Sequence, residues 1–222
     1  MFALLTFNFN RVAIADLGAI AILVTTLIGM HHFLAPVQVF WGRLADRHPI
    51  AGYRRTPYIA ASALFGSLLF LLFPTLAIGL GTHQFTAMLA AVVVFALFGL
   101  AMAANGATTF ALIAEVTTDD DRALVVAVTH TFTILSAIIS AGVAAAIMPV
   151  YDPQQMQHLY NLTPVIVGVS LLLSLPGLEP RINRLQAAMP ATTPTLENQP
   201  ASAFVTAHSL LQSHPQLRAL LG

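Results

Sequence analysis

Long apolar runs separated by short polar gaps set the pattern of this chain. The runs cover residues 17–40, 58–80, 85–113, 123–150 and 162–178. A helix rises 1.5 Å per residue, so about 20 apolar residues cross a hydrocarbon core of roughly 30 Å. Each run therefore predicts a membrane-spanning helix. The last is short and is expected to borrow residues from the polar stretch before it. Residues 1–10 are apolar but reach only about half a span. Arg11 and Asp16 are read as bracketing a short polar connection after them.

The predicted organisation follows from these runs. Residues 1–10 form a partial first helix and 11–178 a transmembrane helical bundle. In 179–208, Pro180, Pro190, Pro194 and Pro200 sit among Ala, Thr and Gln, which reads as a linker. Residues 209–222 turn apolar again and read as the start of a further helix. The fold class is all-α and integral to the membrane.

Composition agrees and narrows the chemistry. The chain is 57% apolar and 8% charged, with a mean hydropathy of +0.80, whereas a soluble domain carries about 25% charge. Its nine basic residues are all Arg, against nine acids, with no Lys and no Cys. That excludes Schiff-base lysines, disulfides and thiolate sites, and a zero net charge argues against nucleic-acid partners. No cleavable signal peptide is expected, because the N-terminus lacks a basic region and a small-residue cleavage site.

Four of the nine Arg fall in 41–58, which reads WGRLADRHPIAGYRRTPY. Positive charge resists translocation, so this loop is expected in the cytoplasm. Parity then places Arg122, Arg181, Arg184 and Arg218 on the same side, leaving only Arg11 opposite. Small residues at four-residue spacing predict close helix packing: Ala137, Ala141 and Ala145; Ser136 and Ser140; Gly99 and Ala103.

The loop resembles the signature of major facilitator superfamily transporters, roughly G-x-L-[AS]-D-R-x-x-G-R-[RK], with Gly42, Asp46, Arg47, Gly52, Arg54 and Arg55 at matching positions. The spacing from Arg47 to Gly52 is two residues longer. The wording RHPIAGYRRTPYI, with Pro57, resembles the narrower PucC/LhaA bacteriochlorophyll delivery family. Asn10-Arg11-Val12 with Asp16-Leu17-Gly18, and the stretch from Asn105 through Glu115 to Arg122, resemble that family as well. The likeness covers roughly residues 4–180. It implies most of the N-terminal six-helix half of a twelve-helix protein, whether as a fragment, a displaced start or a natural half-size chain. In the resemblance, Gly42 and Gly52 serve tight turns, Asp46 caps the following helix and pairs with an Arg, and Arg54 and Arg55 anchor at anionic headgroups.

The resemblance also implies a magnesium tetrapyrrole, chlorophyll or bacteriochlorophyll, as cofactor or cargo. A neutral imidazole can ligate that magnesium, which makes His31, His32 and His130 candidate ligands; the competing reading is hydrogen bonding to a neighbouring helix. Asn105, polar within an apolar run, is expected to face the bundle. Glu115 is expected to pair with Arg43 or Arg47 and hold the gate. Asp119, Asp120 and Asp121 read as a solvated loop and helix N-cap before Ala123, and no protein-only metal site is expected. Ser209, His208 and His214 lack an acid partner nearby, so no catalytic triad is read.

Two functions of different class follow. The first is a non-enzymatic membrane protein that delivers (bacterio)chlorophyll for assembly of light-harvesting or photosystem complexes, in a bacterial inner membrane or a thylakoid. Its partners are the lipid bilayer, those subunits, and a second six-helix half or another copy of itself. The second is a proton-coupled transporter of a small solute, or a non-functional fragment of one. The scarcity of charge within the spans weighs against proton coupling.

Overall fold

The computed structural model describes residues 1–175, 177 and 179. The expected linker and final helix start otherwise lie outside the described residues. Within them the chain is almost wholly helical, and the one paired extended contact is a tight turn between Ile50 and Tyr53. Seven helices follow an N-terminal helical segment: α1 Ala21–Phe33, α2 Gln38–Arg47, α3 Thr56–Leu69, α4 Phe73–Gly81, α5 Phe85–Val116, α6 Asp119–Ile147 and α7 Pro153–Ser174.

Continuous pieces combine into five spans long and apolar enough to cross a membrane: Ala21–Arg47, Thr56–Gly81, Phe85–Val116, Asp119–Ile147 and Pro153–Ser174. The fold is thus an all-α bundle of an integral, multi-pass membrane protein. Two boundaries differ from the sequence reading, and a third follows it. The first span starts later, after Gly18 at φ +71° and an extended Ile20, and it continues through Arg47. Pro36 lacks an N–H, and the span tightens into a 3-10 turn over Ala35–Val37 before resuming as α2. The last span does borrow from the polar stretch: Asp152 accepts from the Gln154 and Gln155 N–H groups at 2.7 and 2.9 Å, so the helix starts at Pro153.

The N-terminal segment is the second difference. It does not break at Arg11. It runs on as two wide-wound π-type stretches, Leu4–Phe9 and Val12–Asp16, closed by i→i−5 bonds such as Leu17 N–H to the Val12 carbonyl at 2.9 Å. The apolar Val12 and Ala13 are fully buried, which outweighs the two flanking charges. Arg11 instead donates to the Met148 carbonyl at 3.2 Å, satisfying the C-terminal end of α6, with Asp16 at 3.8 Å.

Lipid tails are as apolar as leucine, so close packing rather than the hydrophobic effect must hold such helices together. α5 is central and touches α1, α2, α3 and α4. Gly99 permits the approach of the first span: a Cβ there would stand 2.7 Å from Leu34 Cδ1 and 3.2 Å from His31 Cα. Near it, Phe9, Phe70, Phe73, Phe95, Phe98 and Tyr160 form one aromatic cluster. Phe73 and Phe95 meet edge to face at 4.9 Å, and Phe70 stacks on Tyr160 at 5.6 Å. Among the small-residue stripes, Gly99 and Ala103 are buried as expected. The α6 stripe meets the N-terminal segment more loosely: Ala144, not Ala145, is its buried member.

Candidate functional site

Tyr53 begins the stretch that converges several elements at the arginine-rich end. The turn before it is closed by reciprocal Ile50 and Tyr53 backbone bonds at 2.9 and 3.0 Å, with Ala51 at φ +55° and Gly52 at φ +86°. Two successive positive φ angles are what a type I′ turn requires. Gly52 therefore serves a turn as expected. Gly42 does not; it lies inside α2, where its carbonyl faces Arg55. Pro57 sits in the first turn of α3, where its missing N–H costs nothing.

Arg55 is the hub, and only 6% of it is exposed. Its Nη2 donates to Asp46 Oδ1 at 2.6 Å and to Glu115 Oε1 at 2.8 Å. Its Nε reaches the same Glu115 oxygen at 3.1 Å, and Nη1 reaches the Gly42 carbonyl at 3.4 Å. One guanidinium thus joins α2, the start of α3 and the end of α5. Arginine suits this because its planar fork offers several donors in fixed directions. The expected partners are corrected accordingly. Glu115 pairs with Arg55, not with Arg43 or Arg47, and Arg55 is buried rather than spread among headgroups. Asp46 pairs with an Arg, but it lies in the last turn of α2 and caps no helix.

The cap of α3 is Glu179, at the head of the stretch predicted as a linker. Oε1 accepts from the Arg54 N–H at 2.6 Å, and Oε2 from the Thr56 N–H and hydroxyl at 2.7 Å each. The Arg55 N–H reaches both oxygens at 3.1 Å. A negative carboxylate at a helix N-terminus satisfies orphan donors and opposes the positive end of the dipole. Burial by itself would raise its pKa. The hydrogen bonds from the Thr56 hydroxyl and the backbone of Thr56, Arg55 and Arg54 outweigh that and hold the carboxyl below its ordinary value. The available signal was a lone acid just past an apolar run, next to Pro180.

The other candidates lie apart from this cluster. Asn105 Nδ2 donates from α5 to the Ile59 carbonyl and Ser62 hydroxyl of α3, both at 3.3 Å, so it faces the bundle. The acidic run opens α6 under an N-cap at Thr118, ahead of Ala123, with Asp119 on Arg122 at 3.0 Å. Among the described residues no three His, Asp or Glu gather as a metal site.

His31 and His32 come together near the end of α1, ring centroids 3.8 Å apart, with Phe2 edge-on to His31 at 4.6 Å. His31 Nδ1 lies 2.8 Å from the Ile28 carbonyl. A carbonyl only accepts, so Nδ1 carries the hydrogen, and the neutral ring keeps its lone pair on Nε2. That is the kind of nitrogen donor a tetrapyrrole magnesium would take, and His31 fits on this ground. His130 stands separately on α6, against Phe110 at 6.2 Å.

Five membrane spans with a charged cluster at one end define a polytopic membrane protein. The model of the PUCC protein family matches residues 8–220, and the chain belongs to that family. It is similar to Protein PucC of Rhodobacter capsulatus, 26% identical over 226 residues, covering 98% of this chain and 48% of that protein. It is also similar to the bacteriochlorophyll synthase 44.5 kDa chain of Rhodobacter capsulatus, 26% identical over 198 residues, covering 86% of this chain and 43% of that protein. The chain spans about half the length of these curated relatives. No solved structure matches it.

Proposed function

We propose that this protein binds a bacteriochlorophyll or chlorophyll in the membrane and delivers it during assembly of light-harvesting or photosystem complexes, without catalysing a reaction itself. Family membership, with a relative whose name contains bacteriochlorophyll synthase, is the observation that carries the pigment class. The His31 tautomer supports the ligand: Ile28 holds Nδ1–H, which leaves Nε2 as the basic nitrogen. When bound, a magnesium tetrapyrrole would supply light absorption and a metal that takes a nitrogen donor. His31 would hold that metal, and His32, exposed beside it, is the alternative nitrogen. Arg55, Asp46, Glu115 and Glu179 keep the helix ends together while a bulky apolar cargo enters or leaves the bundle.

The test is purification from a pigment-making host in mild detergent, followed by absorption spectroscopy. Stoichiometric pigment is expected in the wild type, with loss or a shifted red band in His31→Ala. His32→Ala and His130→Ala are expected to retain it. A helical, monodisperse protein that is colourless would overturn the reading.

A further inference from the structure

A groove of about 550 Å³ runs between α3 and α7 at the arginine-rich end. Its walls are nearly all apolar, with Ala60 and Leu64 on one side and Gly168, Leu172 and Leu175 on the other. A Cβ built on Gly168 meets nothing within 4 Å among the described residues, so the glycine is not packed against them. Leu64 is 41% and Leu172 76% exposed, which places the walls against the lipid phase. From Thr56 to Leu64 the helix rises about 12 Å, most of the depth of one leaflet.

The mouth is polar, and an arginine adjoins it in sequence. Tyr53 and Thr56 stand there. The Thr56 hydroxyl is committed to Glu179, while the Tyr53 phenol makes no hydrogen bond among the described residues. Arg54 follows Tyr53 directly and, like the exposed Arg43 and Arg47, makes no ion pair among the described residues. Between residues 43 and 55 there are four Arg and one acid, Asp46. Asp46 and Glu115 are occupied by Arg55, and Glu179 by backbone donors.

We propose that this groove is a binding site for one acidic phospholipid, with an acyl chain between α3 and α7 and the phosphate at Tyr53 and Arg54. An apolar slot ending at a phenol, with an arginine unpaired among the described residues as the next residue, offers matching chemistry for the chain, ester and phosphate of a lipid. The excess of Arg selects a net negative headgroup over a zwitterionic one. The site is independent of whether the protein carries pigment.

Native mass spectrometry of the full chain in mild detergent tests it. Phosphatidylglycerol and phosphatidylcholine of identical acyl chains are the probes. One phosphatidylglycerol per chain is expected, preferred about fivefold, which corresponds to the ~1 kcal/mol of one guanidinium at a headgroup. Arg54→Gln should lower that preference toward unity, weakening retention of phosphatidylglycerol more than that of phosphatidylcholine. Gly168→Leu should reduce retention of both lipids, with helicity by circular dichroism preserved. Should that variant misfold, Ala60→Leu closes the groove from the opposite wall. Equal retention of the two lipids by the wild type overturns the proposal. So does undiminished phosphatidylglycerol in a folded groove-filled variant. Loss of bound pigment, rather than lipid, from Gly168→Leu would assign the groove to a pigment tail and overturn it as well.

Discussion

Arg55 and Glu115 meet through two donors on one acceptor: Nε at 3.1 Å and Nη2 at 2.8 Å both point at Glu115 Oε1. The pair bridges α3 and α5, while Asp46 takes the remaining face of Nη2 at 2.6 Å.

Removing the hub should therefore hurt more than removing either acid. Arg55→Ala leaves Asp46 and Glu115 as like charges without their shared cation. Breaking a buried pair costs about 3–5 kcal/mol, and solvent reaches roughly half of both carboxylates here, so about 1–3 kcal/mol is expected. Glu115→Gln should cost less than about 1 kcal/mol. Arg55→Lys should fail to restore stability, because an ammonium cannot present the same fork. Thermal unfolding in detergent orders the three variants, and a fully stable Arg55→Ala would refute the hub.

Glu179 makes stability depend on pH on the acid side. Its folded pKa lies below the ordinary value of 4.5. A carboxyl depressed on folding stabilises the protein above its unfolded pKa. That contribution fades as pH falls below the unfolded value and is gone beneath the folded one. Melting temperatures of wild type and Glu179→Gln, compared from about pH 6 to about pH 3, should differ most at the upper end and converge in acid. Parallel curves would show that the carboxylate charge is irrelevant.

Gly99 sets the distance between the first span and α5. Gly99→Val would drive a side chain into Leu34 and the His31 backbone, and backbone cannot swing aside. A loss of about 1–3 kcal/mol is expected from overpacking. In a pigment-loaded sample the red absorption band should move as well, since His31 shifts with its helix. An unchanged melting curve would mean that the helices do not approach here.

Ala51 offers the opposite outcome. It holds φ +55° in a turn that favours glycine. Left-handed backbone costs a non-glycine residue about 1–2 kcal/mol, so Ala51→Gly should stabilise the loop by up to ~1 kcal/mol. Slower proteolysis between α2 and α3 is the readout, and faster cleavage would contradict the turn.

Several features were legible along the chain because their causes are local. Gly52 in the turn, Pro57 in the first turn of α3 and Asn105 facing the bundle each follow from one residue's own chemistry. The N-terminal segment misled because two charges, Arg11 and Asp16, looked like a break. Arg11 instead reaches carbonyls at residues 148 and 149, far along the chain.

The sequence by itself determined five spans, the membrane as solvent, the arginine-rich loop and the family, since hydropathy, charge and motif wording are properties of contiguous residues. Tertiary structure alone decided which acid meets which arginine. Glu115 is 60 residues from Arg55, and Glu179 is 124. Whether such groups lie within about 3 Å depends on how α2, α3, α5 and the chain after α7 pack, and a one-dimensional pattern does not hold that distance. The same limit hid the α3–α7 groove, which Ala60 and Gly168 line from two helices distant in sequence.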